Sequence, residues 1–341
     1  MKKHLATFAA ALLLLGACSK NDDNPTPPTP NPAPAPTPPP PAEERSLFPK
    51  KAKVTTDDGS YETIYTVSNG KLISVKSTDE NLGSSITFTY EGNRIVKQAS
   101  ENGDGDHSTD SYTYYENGLL KTKVSDLTEI AKREGNDLSK YDTHEVTSYT
   151  YDEQKRLTRW VEDRTTVHIE TKSGTTTTTT DKTEYTYTAD YSAYPKVVVK
   201  MTYKSKNPNE VQPYTSTTEY HSTFDAKGRV VRYERFDSNG KLAETTAYTY
   251  EDGKHFPLVY DAFVAIHPEA FYRGGSGADY LPLTEKETDG KGELRKETIY
   301  ENTYDDRGFP IKVVEKRRSR YKVNNTWKPW EENTETTVYE Y

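Results

Sequence analysis

The chain reads as all-β: a large antiparallel up-and-down meander of hairpin repeats, curved or closed into a barrel-like sheet, with one or two short helical insertions. Three observations predict this. A short motif recurs from Ser46 onward, an aromatic residue, Thr, a second aromatic residue and then a polar turn. In Ile86-Thr87-Phe88-Thr89-Tyr90 apolar side chains alternate strictly with Thr, the period of a strand with one wet face. The composition holds 27 Tyr but only 32% hydrophobic residues, so the core must be thin, built from rings whose hydroxyls still reach water. Closure is favoured because it removes the edges that so many strands would otherwise expose.

Ahead of the repeats lie two segments of another kind. Lys2 and Lys3, the mostly apolar run Leu5 to Leu15, and Leu15-Gly16-Ala17-Cys18 have the grammar of a cleaved signal, 1–18, ending in a lipobox. The apolar run is too short to span a bilayer. Cys18 is therefore the expected lipidation site, with acyl chains, palmitate among them, tying the chain to a membrane; the alternative is an ordinary signal that leaves a free thiol. As Cys18 is the only cysteine, an intramolecular disulfide and a thiolate metal site are excluded. Residues 19–45 form an acidic, Pro-rich stalk, with 11 Pro between Pro25 and Pro41. As polyproline II its 24–42 stretch reaches on the order of 60 Å, enough to hold a domain clear of a surface.

Residues 46–341 are expected to form a single β domain. The recurring unit is clear in Phe88-Thr89-Tyr90-Glu91-Gly92-Asn93-Arg94-Ile95 and in Tyr112 to Leu120. It returns as Tyr149-Thr150-Tyr151-Asp152 leading to Arg156-Leu157, as Phe224-Asp225-Ala226-Lys227-Gly228-Arg229-Val230, and as Tyr304-Asp305-Asp306-Arg307-Gly308-Phe309. Looser copies include Tyr65 to Leu72, Tyr248 to Gly253 and the terminal Tyr339-Glu340-Tyr341. Tyr90 to Tyr114 is 24 residues and Phe224 to Tyr250 is 26, a spacing that marks a repeated supersecondary unit. Gly in the turn supplies positive φ, and Asp237-Ser238-Asn239-Gly240 closes the other end of one unit.

Two stretches read as helical. Asp126 and Glu129 have capping-box spacing before Ile130-Ala131-Lys132-Arg133, with Gly135 at the place of a C-terminal cap. Leu258 to Ile266, ended by Pro268, is the other. The second lies in the long insertion between Tyr250 and Leu283, whose Phe256, Leu258, Val259, Phe263, Val264, Ile266 and Phe271 are the densest apolar stretch after the signal. It is expected to fold back over one end of the sheet as a cap, with Phe256 and Phe263 as ligand contacts if a cavity lies beneath it.

Candidate chemistry is sparse. Asn102-Gly103-Asp104-Gly105-Asp106-His107-Ser108-Thr109-Asp110 gathers carboxylates as a calcium loop would, but it lacks the downstream bidentate Glu, and an acidic hairpin tip is preferred. Gly274-Gly275-Ser276-Gly277-Ala278 misses the nucleophile elbow at Ala278 and reads as a loop. The six histidines beyond the signal never fall at close ligand spacing and mostly read as strand-surface residues. No catalytic residue, metal or cofactor is predicted, although an unrecognised carboxylate pair of a hydrolase stays open as an alternative. Trp327-Lys328-Pro329-Trp330 is the aromatic cluster suited to stacking on a sugar ring, against the alternative that its rings fill the core or cover a sheet edge. Thr175 to Thr180 reads as strand or long hairpin tip. The formal charge is −8; without Lys2 and Lys3, 43 basic residues face 53 acidic ones, about −10. That sign argues against a nucleic-acid partner.

The aromatic-Asp-x-x-Gly-Arg-aliphatic unit resembles the YD repeat of Rhs-type proteins. With the lipobox and the Pro tract it looks like a surface lipoprotein of Bacteroidota, a resemblance that implies a porin-like β fold over 46–341 and brings no catalytic residues. Ser19-Lys20-Asn21-Asp22-Asp23 is similar to the acidic signal that sends such lipoproteins to the outer face of the outer membrane, departing from it at Asn21. The resulting expectation is a non-enzymatic outer-membrane lipoprotein facing the cell exterior, a binding or structural module whose partners are the membrane and a glycan or an envelope or host protein. The alternative is a glycan-binding accessory protein of polysaccharide uptake. A membrane-spanning porin is disfavoured, because the strand faces read Thr, Glu, Lys and Tyr.

Overall fold

The structure is a computed structural model and describes residues 48–78, 83–132, 138–206, 214–252, 266–269, 282–306, 308–324 and 326–341. Among the described residues the elements with given bounds are all strands. In chain order these are β1 (Lys51–Thr56), β2 (Gly59–Ser68), β3 (Lys71–Ser77), β4 (Ser85–Glu91), β5 (Arg94–Glu101), β6 (His107–Tyr114), β7 (Leu120–Lys132), β8 (Leu138–Tyr151), β9 (Leu157–Lys172) and β10 (Thr175–Asp190). There follow β11 (Lys196–Ser205), β12 (Thr215–Phe224), β13 (Val230–Phe236), β14 (Leu242–Tyr250), β15 (Pro282–Asp289), β16 (Leu294–Tyr304), β17 (Pro310–Ser319), β18 (Lys322–Val323), β19 (Thr326–Trp327) and β20 (Glu331–Glu340). All but β18 and β19 join one 18-stranded sheet in which β1 pairs with both β2 and β20, so the ring of pairing closes into the expected antiparallel barrel.

The repeat motif has a physical explanation. In five of the turns an Asp accepts the N–H of the residue four positions on: Asp152 from Arg156 (2.9 Å), and Asp225 from Arg229, Asp237 from Lys241, Asp289 from Glu293 and Asp305 from Phe309 (each 3.0 Å). The residue between them takes positive φ, 75° at Gly228 and 86° at Gly308, and a strained 63° at Lys155. The aliphatic residue that opens the strand after the turn is buried: Leu72, Ile95, Leu120, Leu157 and Val230 are at most 3% exposed. The next repeat then locks onto it through a Tyr hydroxyl. Tyr90 donates to the Leu72 carbonyl (2.7 Å), Tyr114 to Ile95 (2.5 Å), Tyr250 to Val230 (2.7 Å) and Tyr341 to Pro310 (3.1 Å). The basic residue lies over the same ring, Lys71 on Tyr90, Arg94 on Tyr114 and Arg229 on Tyr250. Burial raises the Tyr114 hydroxyl to about 12 against the opposing pull of Arg94, which keeps it a donor.

The chain divides into two compact units, residues 61–188 with 200–218, and the remainder. In the first, the core lies on the face carrying Ile86, Phe88, Tyr112, Tyr149 and Trp160, while Thr87, Thr89, Thr113 and Thr150 on the opposite face are exposed. Trp160, fully buried, stacks on Tyr187 with centroids 4.6 Å apart and planes 5° from parallel. In the second unit Val230, Tyr233 and Tyr248 form the core, with Tyr220, Phe224 and Tyr250 packed against it.

One sequence expectation is overturned. Asp126 to Arg133 was expected to be helical, yet β7 runs through Lys132 as a strand, with Ser125 opposite Glu145 on β8 and Asp110 on β6. β8 pairs with the whole stretch through Lys132 and β6 with it as far as Thr128, and such context outweighs a local capping pattern. Asp126 bonds His144 across the sheet at 2.7 Å instead of capping. The cap expected from the insertion, with Phe256, Phe263 and most of Leu258 to Ile266, lies outside the described residues, as does the Gly274 to Ala278 loop; Ile266 is described and fully buried.

Candidate functional site

The aromatic cluster forms where the chain leaves β17. Along a strand, alternate residues share a face, so Arg318 and Arg320 project together, followed by Lys322 on β18. The short β18–β19 hairpin, pairing Lys322 with Trp327 and Val323 with Thr326, turns the chain back and lays two indoles among these cations. Arg318 lies 4.9 Å from the Trp330 centroid, Arg320 4.5 Å from both Trp330 and Trp327, and Lys322 4.3 Å from Trp327. The result is an alternating ladder of Arg318, Trp330, Arg320, Trp327 and Lys322. Each contact of this kind contributes about 0.5–2 kcal/mol, according to how dry it is.

Two of the three cations are neutralised. Arg318 pairs with Glu297 at 2.5 Å, and Lys286 reaches the same carboxylate at 3.1 Å. The Lys286 hydrogen bond, with Arg318 and against burial, holds Glu297 below the usual carboxylate range. Lys322 pairs with Asp289 (2.9 Å) and with Glu293. Burial works to raise Asp289, but hydrogen bonds from Lys322 and from the N–H groups of Glu293 and Lys291 outweigh it and bring the carboxyl to about 2. Arg320 differs. Its Nε donates to the Leu294 carbonyl (2.9 Å) and its backbone N–H to Arg295 (2.9 Å), but among the described residues no carboxylate pairs with its guanidinium. The Trp327 indole N–H is buried without an acceptor, and Tyr321 beside it is 54% exposed.

The sequence singled out Trp327 and Trp330 but not their cations, although Arg318-Ser319-Arg320-Tyr321-Lys322 shows the alternation that places three positive charges on one face. The other candidates are absorbed into structure. In the acidic loop, Asn102 Oδ1 accepts the N–H groups of Asp104 and Asp106, and Asp106, buried, accepts the Ile130 N–H at 2.6 Å. Asp110 takes the Tyr112 hydroxyl and faces Lys123 at 3.6 Å. The histidines are expected mostly at the surface, but His221 is buried: it bonds Glu219 at 2.5 Å and packs on Phe236. Thr175 to Thr180 lie in β10 and are exposed.

The carboxylates also gather elsewhere in the second unit. Glu315 on β17 stands directly opposite Glu335 on β20, and Glu335 is raised by burial and by Glu315. Glu287 is raised by burial and by Glu244.

No protein-family model and no curated protein matches the chain. Among solved structures, the crystal structure of a porin-like protein from Bacteroides uniformis ATCC 8492 is similar, at 15% identity over 86% of this chain and 98% of that one, with a TM-score of 0.35.

Proposed function

We propose that this chain is a non-catalytic lipoprotein of the outer membrane, tethered through acyl chains on Cys18 and facing the cell exterior, with its β domain as a binding or structural module. The observation that carries the reading is Leu15-Gly16-Ala17-Cys18 followed directly by an acidic stretch and the Pro tract. The strand faces support tethering over spanning. Thr87, Thr89, Thr113, Thr150, Arg159, Asp163 and Thr249 are exposed, whereas a sheet that crosses a bilayer needs a continuous outward apolar band. A single acyl chain binds a membrane only marginally, so stable attachment draws on several chains at Cys18.

In cells fed radioactive palmitate, the full chain should take up label and partition into detergent, and Cys18→Ala should do neither; equal labelling of the variant would refute the anchor. Protease added to intact cells should cleave the chain within 24–42 or in the loops beyond it, and protection until lysis would place it on the periplasmic side. A more specific reading, glycan binding, is favoured by the Trp327 and Trp330 ladder, because it holds the Arg320 guanidinium beside the exposed Tyr321 ring, and a ring next to a fixed donor is the combination that grips a sugar and its substituents.

A further inference from the structure

We infer that Arg320 is the anchor for an oxyanion carried by a saccharide, so that the ladder selects anionic over neutral glycans; this rests on the glycan-binding reading above. The argument turns on charge. Arg318 and Lys322, on either side, each have carboxylate partners, Glu297 for one and Asp289 with Glu293 for the other. Arg320 has none among the described residues, in a chain with 53 acidic residues against 45 basic. An unpaired guanidinium in so acidic a protein is out of keeping with its surroundings.

Its geometry is also that of a prepared site. Guanidinium presents two parallel N–H donors that match carboxylate, sulfate or phosphate. Here Nε is spent on Leu294 O, and two rings at 4.5 Å fix the plane, so the terminal nitrogens are oriented before any ligand arrives. Rings on a cation also lower its hydration, which sharpens an oxyanion contact. The buried, unpaired indole N–H of Trp327 is a second donor at the same place, a state that costs stability unless an acceptor is supplied. Tyr321, 54% exposed, offers a ring for the pyranose itself. Arg320 thus holds the charged substituent, and the exposed Tyr321 ring holds the sugar.

The test titrates the full lipidated chain in detergent with a galacturonic acid tetrasaccharide, a sulfated heparin tetrasaccharide and neutral maltotetraose, following tryptophan fluorescence and calorimetry. Trp160 is fully buried, so quenching reports on Trp327 and Trp330. Either acidic sugar should bind at least ten-fold tighter than the neutral one, and the two together show whether carboxylate or sulfate is preferred. Arg320→Gln should weaken acidic binding by about ten- to hundred-fold, the worth of a charge-assisted bidentate contact, while Arg320→Lys retains part of it. Lys312→Gln, away from the ladder, should change nothing. Equal binding of neutral and acidic sugars, or an Arg320→Gln variant that is folded by circular dichroism and binds as the parent does, would overturn the inference and leave glycan binding standing. Failure of all three sugars to bind would overturn both.

Discussion

Replacing Asp225 by Ala tests the repeat turn where it is most fully engaged. Oδ1 of Asp225 accepts the N–H groups of Lys227 (2.9 Å) and Arg229 (3.0 Å), and Oδ2 accepts Arg229 Nε (2.7 Å). The Arg229 side chain is only 11% exposed, and its other carboxylate partner, Asp252, is 66% exposed. The variant loses two turn hydrogen bonds and leaves a nearly buried guanidinium with one solvent-weakened partner. Breaking a buried pair costs about 3–5 kcal/mol; since Asp225 keeps 22% exposure, about 2–4 kcal/mol is expected after allowing for screening. Asp225→Asn keeps the Oδ1 acceptor and loses the charge, so it should cost about half as much. Asp237 accepts from Asn239 and Lys241 but has no buried cation, so Asp237→Ala should cost only about 1 kcal/mol. Urea unfolding of the full chain, followed by circular dichroism, measures all three. Equal losses for Asp225→Ala and Asp237→Ala would show that the buried Arg229 pair has no part in holding the turn.

Tyr250→Phe keeps the ring under Arg229 and removes the hydroxyl that bonds the Val230 carbonyl. It should cost about 1 kcal/mol in urea, and an unchanged midpoint would remove the hydroxyl from the account. Glu335→Gln relieves a raised carboxylate opposite Glu315 and should stabilise by about 0.2–1 kcal/mol at pH 8. Because an acid raised by folding penalises the fold only while ionised, this gain should vanish below about pH 4; a destabilised variant at pH 8 would refute the like-charge argument. Asp289 runs the other way: held at about 2, below its unfolded value, it contributes stability present above about pH 4 and lost as pH falls towards 2. Asp289→Asn should flatten stability across that window, and parallel acid profiles of variant and parent would refute the assignment.

Much of the fold was legible because each repeat carries its own turn chemistry. Asp four residues before the basic position, Gly between them and a following aliphatic residue are local signals, and β13 with β14 fell where they pointed. Other features depend on partners the sequence does not order. Nothing near Tyr90 marks the Leu72 carbonyl, 18 residues back, as its acceptor, although the recurrence at Tyr114 and Tyr250 was there to be found. The stretch after Asp126 carries a sound capping signal, and only pairing with β6 and β8 turns it into a strand. Which histidine is buried, as His221 is, depends on packing that no local pattern marks. At the ladder, the indoles drew attention, whereas the cations that define its chemistry were hidden as ordinary charges on a strand.

The pairing of β1 with β20 also bears on how the molecule folds. Lys50 Nζ donates to Tyr341 O across 291 residues of chain, and Lys51 faces Glu340 in register. Bringing those ends together costs about 2 kcal/mol more loop entropy than closing a hairpin-sized loop of about 20 residues, and hairpins form in microseconds. The meander can therefore assemble locally and early, whereas the last seam waits until both terminal strands meet. Until then β1 and β20 each present a raw edge to any passing strand. A seam that forms after the transition state puts its contribution into the rate of unfolding as well as into the equilibrium.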